Sequence, residues 1–222
     1  KQNTLSHHLS DLSAVGLIFE NLRVAYNDGR NLAARESMAL AATYAGLAFT
    51  RANVGYVHAI AHQFGGRYHT PHGLANAIML PLVLKYSLPA VTDRLALLAV
   101  RAKLGRESEG EDVLAQKFLD AVGQLNRDLG IPAFLDALKE ADIPQLAEAA
   151  CREAHTGYPV PRYMTQAVCE DLIRQVLPPH AATRKPEGSA KRPAARVKKP
   201  AATPKKSAAV PKKPASRARK PD

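Results

Sequence analysis

Apolar residues recur at three- and four-residue intervals through most of positions 10–177, and nowhere do they alternate with a period of two over a useful length. That pattern admits helices and leaves no convincing strand. Ser10 or Asp11 can cap a first helix through Leu12, Val15, Ile18, Phe19 and Leu22, closed near Asn27-Asp28-Gly29. A second begins near Asn31 and runs through Met38, Leu40, Ala45, Leu47 and Phe49, with small residues that permit close packing. A third covers Tyr56 to Gln63 and is expected to stop at Gly65-Gly66. Thr70 as N-cap and Pro71 at the first helical position then open a fourth, through Leu74, Ile78, Leu82 and Leu84. Further periodic segments lie near Asp93–Leu104, Glu111–Leu129, Pro144–His155 and Gln166–Leu177. Eight segments with short connections predict an all-α helical bundle. A low aromatic content, 5% with no Trp, argues the same way against a β-sandwich or barrel.

Composition divides the chain after Pro178-Pro179. Residues 181–222 hold 14 Lys and Arg against Glu187 and Asp222, a net charge of +12. Residues 1–180 therefore carry a net −1, and the overall +11 belongs entirely to the tail. The tail repeats Lys-Lys-Pro at 198–200 and 212–214 among Ala, Val, Ser and Thr, with too few large apolar residues to offset ordering entropy. The expectation is a globular domain over 1–180 and a disordered basic tail over 181–222. Cys151 and Cys169 are too few for a disulfide-stapled scaffold. The best apolar run, Met38 to Phe49, falls short of the roughly 20 residues of a membrane span, so no membrane partner is expected. No signal peptide is visible, which makes a cytoplasmic chain the default expectation. The start at Lys1 suggests a fragment.

Four of the eight histidines fall within residues 58–72, where even scatter would place about half of one. His58 and His62 stand at i, i+4 and share a helix face. His72 falls at the start of the next helix, where unpaired backbone N–H groups disfavour an imidazolium and favour the neutral ring that a metal needs. His69 lies in the connection. Two readings stay open on the residues alone: a metal site, or half-buried histidines satisfied by backbone carbonyls. His58-Ala59-Ile60-Ala61-His62 has Ala where a zinc protease places its general-base Glu. No carboxylate lies in this stretch, so any acidic ligand must come from elsewhere.

The run Gly55-Tyr56-Val57-His58-Ala59-Ile60-Ala61-His62-Gln63-Phe64-Gly65-Gly66, followed by Thr70-Pro71-His72-Gly73-Leu74-Ala75-Asn76-Ala77-Ile78-Met79-Leu80-Pro81, resembles the signature of the iron-containing (group III) alcohol dehydrogenases. The resemblance extends through Ala33–Asn53 and down to Tyr158-Pro159-Val160-Pro161-Arg162, covering roughly residues 10–177. It implies the all-α C-terminal domain of the dehydroquinate synthase-like fold, normally preceded by a Rossmann-like domain that binds NAD or NADP. It further implies His58 and His72 as metal ligands, and His62 beside the metal, close to the nicotinamide and the substrate, as the catalytic and cofactor-facing residue. Phe49 matches a substrate-pocket aromatic. The family completes its site with an Asp-x-x-x-His pair on an earlier helix, which by alignment falls just before Lys1. The sequence has no two glycines at i, i+2, hence no Gly-x-Gly-x-x-Gly.

The resemblance therefore implies Fe²⁺, with Zn²⁺ also suited to such ligands. It implies hydride transfer between a small alcohol or aldehyde and NAD or NADP, in a chain that alone is expected to be inactive. A different expectation comes from the tail, whose Lys/Ala/Pro composition suits nonspecific binding of nucleic acid, with the helical domain only a carrier. A third is a metal-free helical assembly module, and an oligomer of identical chains fits either helical reading.

Overall fold

The structure, a computed structural model, describes residues 2–179, with side chains described from Leu12 onward apart from Arg51. The expected disorder of the tail over 181–222 lies outside the described residues. Seven α-helices and no strand occur among the described residues: α1 Gln2–Asn27, α2 Leu32–Ala52, α3 Tyr56–Tyr68, α4 His72–Arg101, α5 Glu111–Asp128, α6 Ile143–His155 and α7 Gln166–Arg174. The all-α bundle is thus the observed architecture.

Several boundaries differ from expectation, each for a physical reason. Helix α1 starts at Gln2 rather than at a Ser10 or Asp11 cap. Ser and Asp inside a helix cost only a fraction of a kcal/mol each, so a polar pair does not by itself end one. Helix α3 passes through Gly65-Gly66 and ends at Tyr68, where His69 takes the left-handed conformation with φ 55° and its N–H bonds the Gly65 carbonyl. Glycine costs a helix roughly 1 kcal/mol. The burial of Ile60 and Phe64 and a hydrogen bond from Tyr68 to Asp142 offset that cost. At the next start Pro71, not Thr70, is the N-cap residue, and His72 is the first helical position.

The segments expected as two helices around Leu84 and Asp93 are one element, α4, bent at Val91 (φ −143°, ψ 20°) just past Pro89. Proline removes a backbone donor and bends a helix without necessarily ending it. The two halves of α4 serve different cores. Ala75, Ile78, Met79 and Val83 join α3, α6 and α7 around Phe64, Ile143 and Ile173. Beyond the bend, Val91, Leu95 and Ala99 pack on Leu114, Phe118 and Val122 of α5, with Phe19 of α1 meeting Phe118 at 5.7 Å between ring centres. By length and composition alone α4 is apolar enough to cross a membrane, which the dozen-residue run in α2 had not suggested. Here its apolar positions are divided between the two cores.

Helix α2 buries Ala34, Ala41 and Ala48, a stripe at seven-residue spacing. Its neighbour in the fold is α1. Leu40, Leu47 and Phe49 are left exposed. Cys151 and Cys169 are both buried free thiols, and burial raises the pKa of both, most strongly that of Cys169, which makes them poor nucleophiles.

Candidate metal centre

Helix α3 buries Tyr56, Ile60 and Phe64 in the first core, so the adjacent face carrying His58 and His62 lies at the domain rim. The connection His69-Thr70-Pro71 reverses the chain and brings His72, at the first turn of α4, against that face. The three imidazoles meet: ring centres are 5.4 Å apart for His58 and His72, 5.4 Å for His62 and His72, and 6.0 Å for His58 and His62.

Two imidazoles that each place a nitrogen about 2.1 Å from one ion at a tetrahedral angle have ring centres roughly 5 Å apart. The His58–His72 pair fits that spacing at 5.4 Å. Burial first, and then the neighbouring His72 and His62, hold the His58 imidazole below its ordinary pKa, which keeps it neutral and able to ligate. His72 Nε2 sits 3.1 Å from Asn76 Nδ2, one turn along, while the Asn76 Oδ1 is buried with no partner. The same Nδ2 donates to the His72 carbonyl at 2.9 Å, which fixes the orientation of the amide and sets it against one side of the His72 ring. The donor types and spacing therefore fit a divalent metal. Among the described residues no three His, Cys, Asp or Glu side chains form a complete metal-binding group.

A carboxylate from α6 reaches His62 rather than the His58–His72 pair. Glu153 Oε1 lies 2.6 Å from His62 Nδ1, and Oε2 accepts from Gln63 Nε2 at 2.9 Å. The Tyr158 hydroxyl donates to Oε1 at 2.7 Å, and this bond to Glu153 is the main cause of a raised Tyr158 pKa. The segment after α6 that carries Tyr158 is itself fastened. The Met164 N–H donates to the Tyr56 hydroxyl at 2.9 Å, and His155 stacks on Tyr163 at 4.2 Å. Arg162 lies 4.3 Å over the Tyr86 ring and donates to its carbonyl at 2.9 Å. Glu153, Gln63, Tyr158 and Asn76 carried no expectation from the sequence. Glu153 is 91 residues from His62, and only a folded chain joins them.

Phe49 stands near the C-terminal end of α2. It is 56% exposed and lines an apolar groove of about 480 Å³ with Leu12, Ile18, Ala45, Arg94 and Leu97, to which none of the three histidines contributes.

Comparison with known proteins agrees with this architecture. Residues 3–177 match the family model described as Fe-containing alcohol dehydrogenase family, C-terminal. Over 168 residues the chain is 42% identical to 1,3-propanediol dehydrogenase of Citrobacter freundii, covering 74% of this chain and 43% of that protein. It is 39% identical over 166 residues to alcohol dehydrogenase 4 of Saccharomyces cerevisiae, covering 71% and 42%. Among solved structures, a 1,3-propanediol oxidoreductase superposes with a TM-score of 0.73 at 39% identity, over 77% of this chain and 45% of that one. An alcohol dehydrogenase from Oenococcus oeni does so at 0.69 and 35% identity, over 74% and 43%. The chain thus spans less than half the length of the relatives it matches. A match over 175 consecutive positions, in the fold those relatives share, makes this chain a member of the iron-containing alcohol dehydrogenase family that corresponds to its helical C-terminal part.

Proposed function

We propose that the chain is the metal-binding helical part of an NAD(P)-dependent alcohol dehydrogenase, which interconverts a small alcohol with its aldehyde or ketone by hydride transfer. The observation that carries this reading is the convergence of His58, His62 and His72 beside Glu153. His58 and His72 are assigned to hold a divalent ion, iron by family habit and Zn²⁺ on the same ligand chemistry. Such an ion supplies Lewis-acid polarisation of a substrate oxygen. His62 is assigned the proton: held on one side by Glu153, it has its other nitrogen free to accept one. No strand stands among the described residues and no Gly-x-Gly-x-x-Gly in the sequence, so a Rossmann-type phosphate cradle is not among the residues described.

The test is a chimera in which the unmatched N-terminal part of a 1,3-propanediol dehydrogenase precedes this chain. His62→Ala in that protein should keep its metal and lose turnover about a hundred-fold, the lower end of what a positioned acid–base group contributes. Metal loss in this variant would make His62 a ligand and overturn the division of roles.

A second reading, for the tail, rests on the charge partition. A net +12 confined to residues 181–222, beside a domain of net −1, suits nonspecific contact with nucleic-acid phosphates. If about 6 of the cations meet phosphates, log K should fall with log[salt] with a slope near −5. Deleting residues 181–222 should abolish retention of unrelated duplex DNA and leave the helical circular-dichroism signal unchanged. Retention that survives the deletion would remove the tail from this role.

A further inference from the structure

The Glu153 carboxylate is the one group in the site that ties three separate elements together. Its Oε1 takes His62 Nδ1 at 2.6 Å and the Tyr158 hydroxyl at 2.7 Å, and its Oε2 takes Gln63 Nε2 at 2.9 Å. Gln63 is fixed in turn by the Ala59 carbonyl at 3.1 Å. Both carboxylate oxygens are thus engaged, from α3 on one side and from the segment following α6 on the other. The carboxylate cannot swing without breaking bonds to both.

This network does little for stability. The His62 and Glu153 side chains are 41% and 28% exposed, so solvent screens the charge between them. What the geometry does control is the position of a proton. A carboxylate is an acceptor only, so a neutral His62 facing it must carry its hydrogen on Nδ1. Nε2, across the ring, is then left as the acceptor. A free imidazole in water favours the opposite tautomer, with hydrogen on Nε2, and that form has no lone pair to offer at Nε2.

We infer that Glu153 is the positioning residue of this site, holding His62 as the Nδ1–H tautomer so that Nε2 is the nitrogen available for proton exchange. The inference rests on the relay role proposed for His62, and it extends that role to a residue remote in sequence. The bonds of Glu153 run to His62, Gln63 and Tyr158. It acts only through the imidazole, as the aspartate of a serine-protease triad acts through its histidine.

The tautomer can be read without metal, cofactor or turnover. In the ¹⁵N-labelled 222-residue chain, with chelator present and at about pH 8.5, well above the usual imidazole pKa, long-range ¹H–¹⁵N correlations separate protonated from bare ring nitrogens. A His62→Gln spectrum assigns the signals. The expected result is a protonated Nδ1 and a bare Nε2 at His62. Glu153→Ala should shift the tautomer ratio toward Nε2–H by about tenfold or more, a hydrogen bond to an ionised group being worth at least that. Glu153→Gln keeps a carbonyl acceptor and should restore most of the wild-type ratio. A wild-type His62 found as Nε2–H overturns the inference, and this needs no variant to fold. An unchanged ratio in a folded Glu153→Ala overturns it equally. An inactive chimera would count against the relay and leave this tautomer assignment standing, so the two failures are distinguishable.

Discussion

Replacing either His58 or His72 by alanine should strip the metal from a chimera completed with the N-terminal part of a 1,3-propanediol dehydrogenase. The expected change is from about one iron or zinc per chain to near none, since a four-ligand site that loses one imidazole exchanges a strong donor for water. Turnover should fall with it, by roughly a thousand-fold or more, because Lewis-acid polarisation contributes several kcal/mol to such a reaction and each 1.36 kcal/mol is tenfold. The spacing of the two rings, 5.4 Å between centres, makes them a pair that one ion can share. His62 stands at the same 5.4 Å from His72, so the division of roles rests on the resemblance and on the Glu153 bond to His62 rather than on spacing. Elemental analysis after gel filtration reads the metal directly. Full metal content in both variants would sink the ligand assignment, whatever happens to the rate. The lowered pKa of His58 adds a direction: protons compete for this ligand only at a lower pH than for an ordinary imidazole.

Those three histidines were legible because helix geometry is local. An i, i+4 pair must share a face, and a short connection must bring the next helix start nearby, whatever surrounds them. The course of the chain through Gly65-Gly66 was not legible. Whether a helix stops at a glycine pair depends on what the residues around it bury, and Phe64, wholly buried, is held by helices 80 and 110 residues further on. The bend in α4 was half legible. The periodic segments on either side read as two helices, but the continuation past Val91 depends on α5 covering the second half. Glu153 left no trace in the sequence pattern, being one of several charged residues on a short amphipathic helix. Nothing in its spacing marks it as the one that reaches His62. Phe49 shows the reverse case. Its place on α2 was legible, but its neighbours are set by how α1, α2 and α4 meet.

Residues 1–222 by themselves should reduce neither NAD nor NADP with any alcohol. Two imidazoles leave a divalent ion mostly hydrated, so its affinity should lie far below that of a complete site, and an ion that dissociates readily cannot sustain turnover. Hydride transfer also needs the nicotinamide held against the substrate carbon, and positioning of that kind accounts for a large share of the barrier lowering in any two-reactant enzyme. The described residues offer two imidazoles at the right spacing, a positioned third, and no phosphate cradle. The exposed Leu40, Leu47 and Phe49 on α2 should in addition drive association of the isolated chain, visible as a concentration-dependent sedimentation coefficient. The decisive measurement is a cofactor-reduction assay with added Fe²⁺ or Zn²⁺, across short primary alcohols and diols, against a His62→Ala control. Reduction above that control would mean that association of these chains builds a catalytic site. The ligands and cofactor contacts assigned here to the rest of the family fold would then have to come from a second copy.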